Sequence, residues 1–96
     1  MAMTESEFAD LVQKAVMALK SAGAREVYLF GSAAMGTLRE ESDVDMAVSG
    51  LPPEVFFRAM AQASRALGRP LDLINLDRDN LFTRFLIKEG ELRRVG

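Results

Sequence analysis

The chain has 96 residues, 49% of them hydrophobic and 27% charged, with a formal net charge of -2. This length fits one domain covering 1–96, and the charge balance excludes a general nucleic-acid-coating protein, which would need a basic face. The chain has no Cys and no His, which excludes disulfides, thiolate metal sites and an imidazole base. Any bound metal would need oxygen ligands, as magnesium and manganese prefer.

The location of the protein is indicated by two features of the chain. No apolar run approaches the roughly 20 residues that span a bilayer. The first ten residues contain Glu5, Glu7 and Asp10 and no basic residue, unlike a signal peptide. We therefore expect a soluble, cytoplasmic protein.

The first half of the chain is predicted to contain one long helix and two strands. Apolar residues at helical spacing predict a helix over 5–21, with Thr4 and Glu7 as a capping box and Gly23 as its stop. The apolar residues 26–30 predict a buried strand. A short helical turn over 33–35, closed by Gly36, an exposed loop over 37–42 and a second strand over 43–48 follow.

The second half is predicted to repeat this alternation. Pro53 begins a helix that ends near residue 67, and residues 70–76 form a third strand. Asp79 or Asn80 caps a last helix through residue 88, which Gly90 stops, and residues 91–95 form a short edge strand. The inward-facing residues of that helix are predicted to be Leu81, Phe82, Phe85 and Leu86. The pattern indicates a two-layer α/β (α+β) domain with a sheet of three to four strands.

Acidic residues interrupt two of the predicted strands. Asp43 and Asp45 point to the same side of a strand, about 6–7 Å apart, where they repel each other unless a cation lies between them. Val44 and Met46 would anchor the opposite face in the core. Asp72 interrupts the third strand in the same way. If the two strands are neighbours, three carboxylates converge, and such a set suits two magnesium ions that stabilise the attacking and leaving oxygens of phosphoryl transfer.

Simpler interpretations of these residues remain open. Asp43 could be an ordinary strand-end or capping residue, and Asp72 could pair with Arg69 or another Arg. Gly31 and Ser32 follow the first strand. Glycine allows a tight turn and the close approach of a ligand, and the free N–H groups at the start of a helix would bind phosphate. Taken alone, this dipeptide is also typical of a simple turn.

The spacing of the motifs resembles a known family. The segments LFGSAAMG and ESDVDMAV place Gly31-Ser32 ten residues before Asp43-Val44-Asp45. This resembles the signature of the DNA polymerase beta nucleotidyltransferase superfamily, and in particular its minimal nucleotidyltransferases. The third strand, PLDLINL, lies where that family has its last acidic residue. One departure is Met35, where many relatives carry Arg.

The resemblance implies a mixed sheet with the palm-like nucleotidyltransferase fold, and a site with assigned roles. Asp43 and Asp45 would bind two Mg²⁺ ions, Asp72 would bind the catalytic ion and help the acceptor hydroxyl lose its proton, and Gly31 and Ser32 would bind the triphosphate. The reaction would transfer a nucleoside monophosphate from ATP or another nucleoside triphosphate to an acceptor hydroxyl, with AMP from ATP as the favoured case. The acceptor would belong to a HEPN-domain protein, which the chain would neutralise as the antitoxin of a toxin–antitoxin pair.

The small size of the chain bears on where the acceptor binds, and two alternative functions stay open. A domain of this length leaves no room for an acceptor-binding domain, so the acceptor site would come from a partner or a second copy. The chain could instead be a binding module that neutralises its partner without catalysis, or a nucleotidyltransferase acting on a small molecule.

Overall fold

The computed structural model describes residues 4–35, 43–90 and 92–96, apart from the side chains of Ser32 and Met35. The predicted Gly36 stop, the loop over 37–42 and residue 91 lie outside these described residues. Within them the chain alternates helices and strands. The elements are α1 (Glu5–Ala22), β1 (Glu26–Phe30), α2 (Gly31–Met35), β2 (Val44–Ser49), a 3₁₀ turn (Pro53–Val55), α3 (Phe56–Leu67), β3 (Leu71–Asn75), α4 (Leu81–Lys88) and β4 (Arg93–Arg94).

The four strands form one mixed sheet in the order β3-β2-β1-β4. β1 pairs antiparallel with β2 and with β4, whereas β2 and β3 run parallel. The parallel pair is possible because α3 crosses between β2 and β3. The α/β class, the mixed sheet and the short edge strand predicted near the C-terminus are confirmed.

One face of the sheet carries the main hydrophobic core. The strands contribute Val27, Val44, Met46 and Val48, all fully buried. Helices α1 and α3 pack against each other and cover this face with Leu19 and Leu67, among others. Each fully buried side chain of this size stabilises the fold by roughly 1.5–3 kcal/mol. The predicted placement of Val44 and Met46 in the core is confirmed.

Within the described residues, the second face of the sheet is covered only in part, by α4. Phe30 and Ala47 form a smaller buried cluster with Leu86 of α4. The prediction that Leu81, Phe82 and Phe85 also face inward is wrong, since they are 84%, 48% and 56% exposed. A helix resting on this narrow apolar strip buries one stripe only, here Thr83 and Leu86. The apolar residues of α4 surround the helix, so helical spacing alone could not identify the buried stripe.

The helix ends are fixed by local hydrogen bonds. Thr4 Oγ1 accepts from the Glu7 backbone N–H at 3.0 Å, which confirms Thr4 as the cap of α1, and Gly23 ends that helix. At α4, Asn80 rather than Asp79 is the cap. Asn80 Oδ1 accepts from the Thr83 N–H at 2.9 Å, and Thr83 Oγ1 accepts from the Asn80 N–H at 3.1 Å. Asp79 instead pairs with Arg84 at 2.6 Å.

Candidate functional site

The site is organised by the register between the three longer strands. Asp45 is paired with Phe30 of β1 on one side and with Asp72 of β3 on the other. Side chains at paired positions point to the same face of a sheet. The carboxylates of Asp45 and Asp72 therefore share the second face, opposite Val44 and Met46. The expected neighbourhood of β2 and β3 is confirmed.

Asp43 lies one residue before β2, which begins at Val44 rather than at the predicted residue 43. It is exposed, as is Asp72, whereas Asp45 is half-buried. Among the residues that the structure describes, no group of three or more carboxylates is arranged to hold a metal ion. The chain thus brings Asp45 and Asp72 to paired positions, with Asp43 beside them, but does not gather the three into a preformed cluster.

Gly31 lies close to the Asp45 carboxylate. It is the first residue of α2 and has a φ of +63°, a left-handed conformation that favours glycine. A Cβ atom placed on Gly31 would lie 2.6 Å from Asp45 Oδ2. Glycine is therefore required here for two reasons, the backbone turn and the proximity of the carboxylate. The sequence predicts a tight turn at this position, but it does not indicate the contact with Asp45.

The electrostatics of the site centre on Asp45. Burial raises the pKa of the Asp45 carboxyl above its usual range, and the negative charges of Asp72 and Asp43 raise it further. Both effects disfavour the ionised carboxylate. A bound cation would oppose both of them, because it would stabilise negative charge on all three residues.

The donor set fits a hard divalent cation. All three candidate ligands are carboxylates, which suit magnesium or manganese, and the chain has no imidazole or thiolate to favour a softer metal. Asp43 and Asp72 are exposed, so their side chains can change rotamer without disturbing the core. Asp43, Asp45 and Asp72 are thus the residues that would hold such an ion.

Two aromatic residues near the site were not identified as functional from the sequence. Phe30 precedes Gly31 and is paired with Asp45. Its ring contacts the ring of Phe82 edge to face, with the centroids 6.4 Å apart. Phe82 is half-exposed, so the ring that contacts Phe30 also reaches the surface of α4. The apolar composition of α4 was the signal for Phe82 in the sequence, and it predicted a buried core position for this residue.

Comparisons with known proteins bear on the family and the fold of the chain. The family model described as polymerase beta, nucleotidyltransferase matches residues 13–92. No curated protein sequence matches the chain significantly. In the described part of the chain, no helix is long and apolar enough to cross a membrane.

Several solved structures share the fold. A chain in a toxin–antitoxin complex with AMP-PNP is 24% identical with a TM-score of 0.67, the match covering 83% of this chain and 69% of that one. The MntA–HepT toxin–antitoxin complex gives 20% identity and a TM-score of 0.60, covering 85% and 68%. The complex of tri-AMPylated Shewanella oneidensis HEPN toxin with MNT antitoxin gives 20% and 0.61, covering 85% and 67%.

Proposed function

Because the chain belongs to the polymerase beta nucleotidyltransferase family, we propose that it transfers AMP from ATP to a hydroxyl group of a HEPN-domain protein. In this role it would be the antitoxin of a toxin–antitoxin pair. The observation that carries the proposal is the pairing of Asp45 with Asp72 on neighbouring strands, with Gly31 next to the Asp45 carboxylate. This arrangement supports the proposal because the candidate metal ligands lie beside a candidate phosphate-binding turn.

In the proposed mechanism the carboxylates hold the metal ions, and the turn after β1 binds the nucleotide. Asp43, Asp45 and Asp72 would hold two Mg²⁺ ions, which when bound neutralise the charge that develops on the phosphoryl oxygens. Gly31 and Ser32 would bind the triphosphate through the backbone N–H groups at the start of α2. The exposed Asp72 would accept the proton of the acceptor hydroxyl. The acceptor oxygen then forms a bond to the α-phosphorus, the bond from that phosphorus to the β-phosphate bridging oxygen breaks, and pyrophosphate leaves.

The proposed acceptor is a protein because of the structural neighbours. Two of them are complexes in which a HEPN toxin or HepT accompanies the antitoxin, and in one the toxin is tri-AMPylated. The described part of this chain is used up by the sheet and its covering helices. We therefore assign recognition of the acceptor to an interface between the partner and a surface of this domain.

The first test is thermal unfolding of the wild type and of the Asp43→Asn/Asp45→Asn variant, each with and without Mg²⁺ and ATP. At about one hundred times its dissociation constant, a ligand of the native state stabilises it by roughly 2.7 kcal/mol. We expect the wild type to be stabilised by Mg²⁺ and ATP together and the variant not to be. Transfer of label from α-³²P-ATP to the HEPN-domain protein then tests the reaction. A stabilised chain that transfers no label in the presence of its partner would contradict the proposed activity.

A binding role without catalysis is the second candidate. It is favoured by the absence of a preformed metal cluster in the described residues and by large exposed apolar side chains on the surface, among them Phe57 and Phe82. If this role is the correct one, the Asp43→Asn/Asp45→Asn variant will neutralise the toxin in cells as well as the wild type does. Loss of neutralisation by a folded variant would exclude it.

A further inference from the structure

The outer edge of the sheet at β3 offers backbone hydrogen-bonding groups to a partner. In the described part of the chain, β3 pairs with β2 alone. The Val44 N–H donates to the Pro70 carbonyl and the Leu76 N–H to the Val48 carbonyl. The backbone N–H and C=O groups of the even-numbered residues of this segment therefore point toward β2. The N–H and C=O groups of Leu71 and Leu73 therefore point outward. Such an edge is a template for one more strand.

A groove lies beside the C-terminal part of this edge, between the start of α3 and the start of α4. Its volume is about 610 Å³, and its lining includes Leu73 and Ile74 of β3, Phe57 of α3 and Phe82 of α4. Phe57 is 75% exposed and Phe82 48% exposed. Arg78 is the one charged side chain among the described lining residues. The groove thus combines apolar walls, a polar backbone edge and one positive charge.

The described lining of the groove begins on β3 at Leu73, the residue after Asp72. The strands place Gly31 after β1, Asp45 on β2 and Asp72 on β3, so the proposed triphosphate site and the free edge lie on opposite sides of Asp45. A hydroxyl that reacts beside Asp72 has to approach from the β3 side. Ile74, two residues after Asp72 on the same face of the strand, lines the groove.

We propose that the acceptor protein binds by adding an extended segment to the β3 edge, in the groove between Phe57 and Phe82. This inference rests on the proposed function. The occupant is a partner segment that carries a hydroxyl residue, apolar residues at alternate positions, and an acidic residue that pairs with Arg78. Backbone pairing gives such a complex its affinity, and side-chain pockets give it specificity.

The register of the added strand identifies the acceptor residue. The residue paired with Asp72 points its side chain to the same face as the Asp72 carboxylate, with Cβ atoms about 4.5–5.5 Å apart. This residue carries the hydroxyl that is modified. The next residue on the same face lies beside Ile74 and Phe82 and is apolar. The intervening residue points to the opposite face, toward Phe57.

Amide hydrogen exchange measured by NMR tests the binding mode directly. The free chain is compared with its complex with the HEPN-domain protein, without ATP. We expect exchange at the Leu71 and Leu73 amides to slow at least tenfold in the complex. Protection confined to α1 or α4, or Leu71 and Leu73 amides already protected in the free chain by pairing between two copies, overturns the proposal. A folded wild-type chain that does not bind the HEPN-domain protein also overturns it.

Three matched substitutions test the groove by calorimetric titration with the same protein. Phe57→Asp places a charge on the groove wall and should weaken binding at least tenfold, as expected for an aromatic interface anchor. Met17→Asp on α1 and Ile87→Asp on the outer part of α4 change side chains that are 67% and 61% exposed and lie outside the groove lining. Both should bind as the wild type does. Weakening by Ile87→Asp with no effect of Phe57→Asp assigns the partner to α4 and overturns the proposal.

The failure of this inference can be distinguished from failure of the proposed function. Stabilisation of the free chain by Mg²⁺ and ATP does not involve the groove, and neither does the effect of Asp43→Asn/Asp45→Asn on it. If the nucleotide binds and the β3 amides stay unprotected, only the docking mode is wrong. If the amides become protected and the nucleotide does not bind, the chain binds its partner as a module without the proposed catalysis.

Discussion

The two faces of strand β2 differ in what their residues contact. Val44, Met46 and Val48 are fully buried beneath α1 and α3. On the opposite face Asp45 is half-buried, and the negative charges of Asp72 and Asp43 disfavour ionisation of its carboxyl group. Residues that alternate along one strand therefore serve the core on one side and a polar site on the other.

This difference predicts that substitutions on the two faces have opposite effects on stability and on the proposed metal site. On the core face, a smaller side chain removes contacts and reduces the free energy of unfolding. On the acidic face, neutralising a carboxylate relieves repulsion in the metal-free protein and leaves the fold intact or more stable. The same change removes a ligand from the proposed metal site. Stability and function can thus be varied separately within one strand.

The largest expected effect is that of Asp45→Asn on nucleotidyl transfer. Metal stabilisation of the transition state is worth several kcal/mol, so losing a ligand should reduce the rate by roughly a thousandfold, or about 4 kcal/mol. The melting temperature without metal should stay the same or rise, because burial and two nearby negative charges oppose the ionised carboxylate. Transfer of label to the partner and calorimetry measure the two quantities.

Asp77→Asn is the contrasting variant for Asp45→Asn. Asp77 Oδ2 accepts a hydrogen bond from the Gly50 N–H at 2.7 Å, so this carboxylate has a structural contact away from the site. Its substitution should leave the transfer rate unchanged. If Asp45→Asn lowers the melting temperature strongly and spares transfer, Asp45 is a structural residue and the division between the two faces of β2 is wrong.

Met46→Ala is the reciprocal experiment on the core face. The side chain of Met46 is completely inaccessible, and truncation of such a residue costs about 2–5 kcal/mol. For a protein of this size that is a large part of the total stability. We expect a lower midpoint in urea denaturation, while the variant that remains folded at low temperature binds Mg²⁺ and ATP as the wild type does. Loss of nucleotide binding without loss of stability would contradict this.

Gly31→Ala should reduce both the stability of the fold and the binding of Mg²⁺ and ATP. The left-handed backbone costs a residue with a Cβ about 1–2 kcal/mol, and the added atom would lie 2.6 Å from Asp45 Oδ2. Gly68→Ala is a matched control, because Gly68 has a similar φ of +73° but no atom within 4 Å of an added Cβ. Both variants should lose stability, measured by thermal unfolding. Only Gly31→Ala should also lose its stabilisation by Mg²⁺ and ATP, and equal behaviour of the two variants would show that the proximity of Gly31 to Asp45 is unimportant.

The sequence was sufficient to predict the features that depend on local periodicity. The alternation of Val44 and Met46 with Asp43 and Asp45 predicted which face of β2 enters the core, and the structure confirms it for the described strand. The apolar run of β1 predicted its bounds, Glu26–Phe30. These predictions succeed because the spacing of side chains along a strand is fixed by the backbone.

The features that depend on contacts distant in sequence were not predictable in the same way. The burial of α4 was predicted wrongly, because Leu81, Phe82 and Phe85 gave no sign of which stripe meets the narrow apolar strip of the sheet. The proximity of Gly31 to Asp45 depends on strand register, and so does the pairing of Asp45 with Asp72. The roles of Asp45 and Asp72 in metal binding and catalysis stay predictions, as do the roles of Gly31 and Ser32 in nucleotide binding.

The smallest expected effect is a dependence of stability on pH that belongs to the acidic face alone. The pKa of Asp45 is raised in the folded protein by burial and by Asp72 and Asp43, so the folded state holds this proton more tightly than the unfolded state does. The favourable contribution is complete below the usual Asp pKa of about 3.9 and is lost as the pH rises through the higher folded value. The free energy of unfolding of Asp45→Asn, relative to that of the wild type, should therefore increase from pH 3.5 to neutrality in metal-free buffer. Urea denaturation along this series measures it, and Mg²⁺ at neutral pH should reduce the difference, because a cation on Asp45 removes the repulsion that the amide removes. A difference that is constant with pH would show that Asp45 ionises in the fold as it does in the unfolded chain, and the contrast between the two faces of β2 would then rest on packing alone.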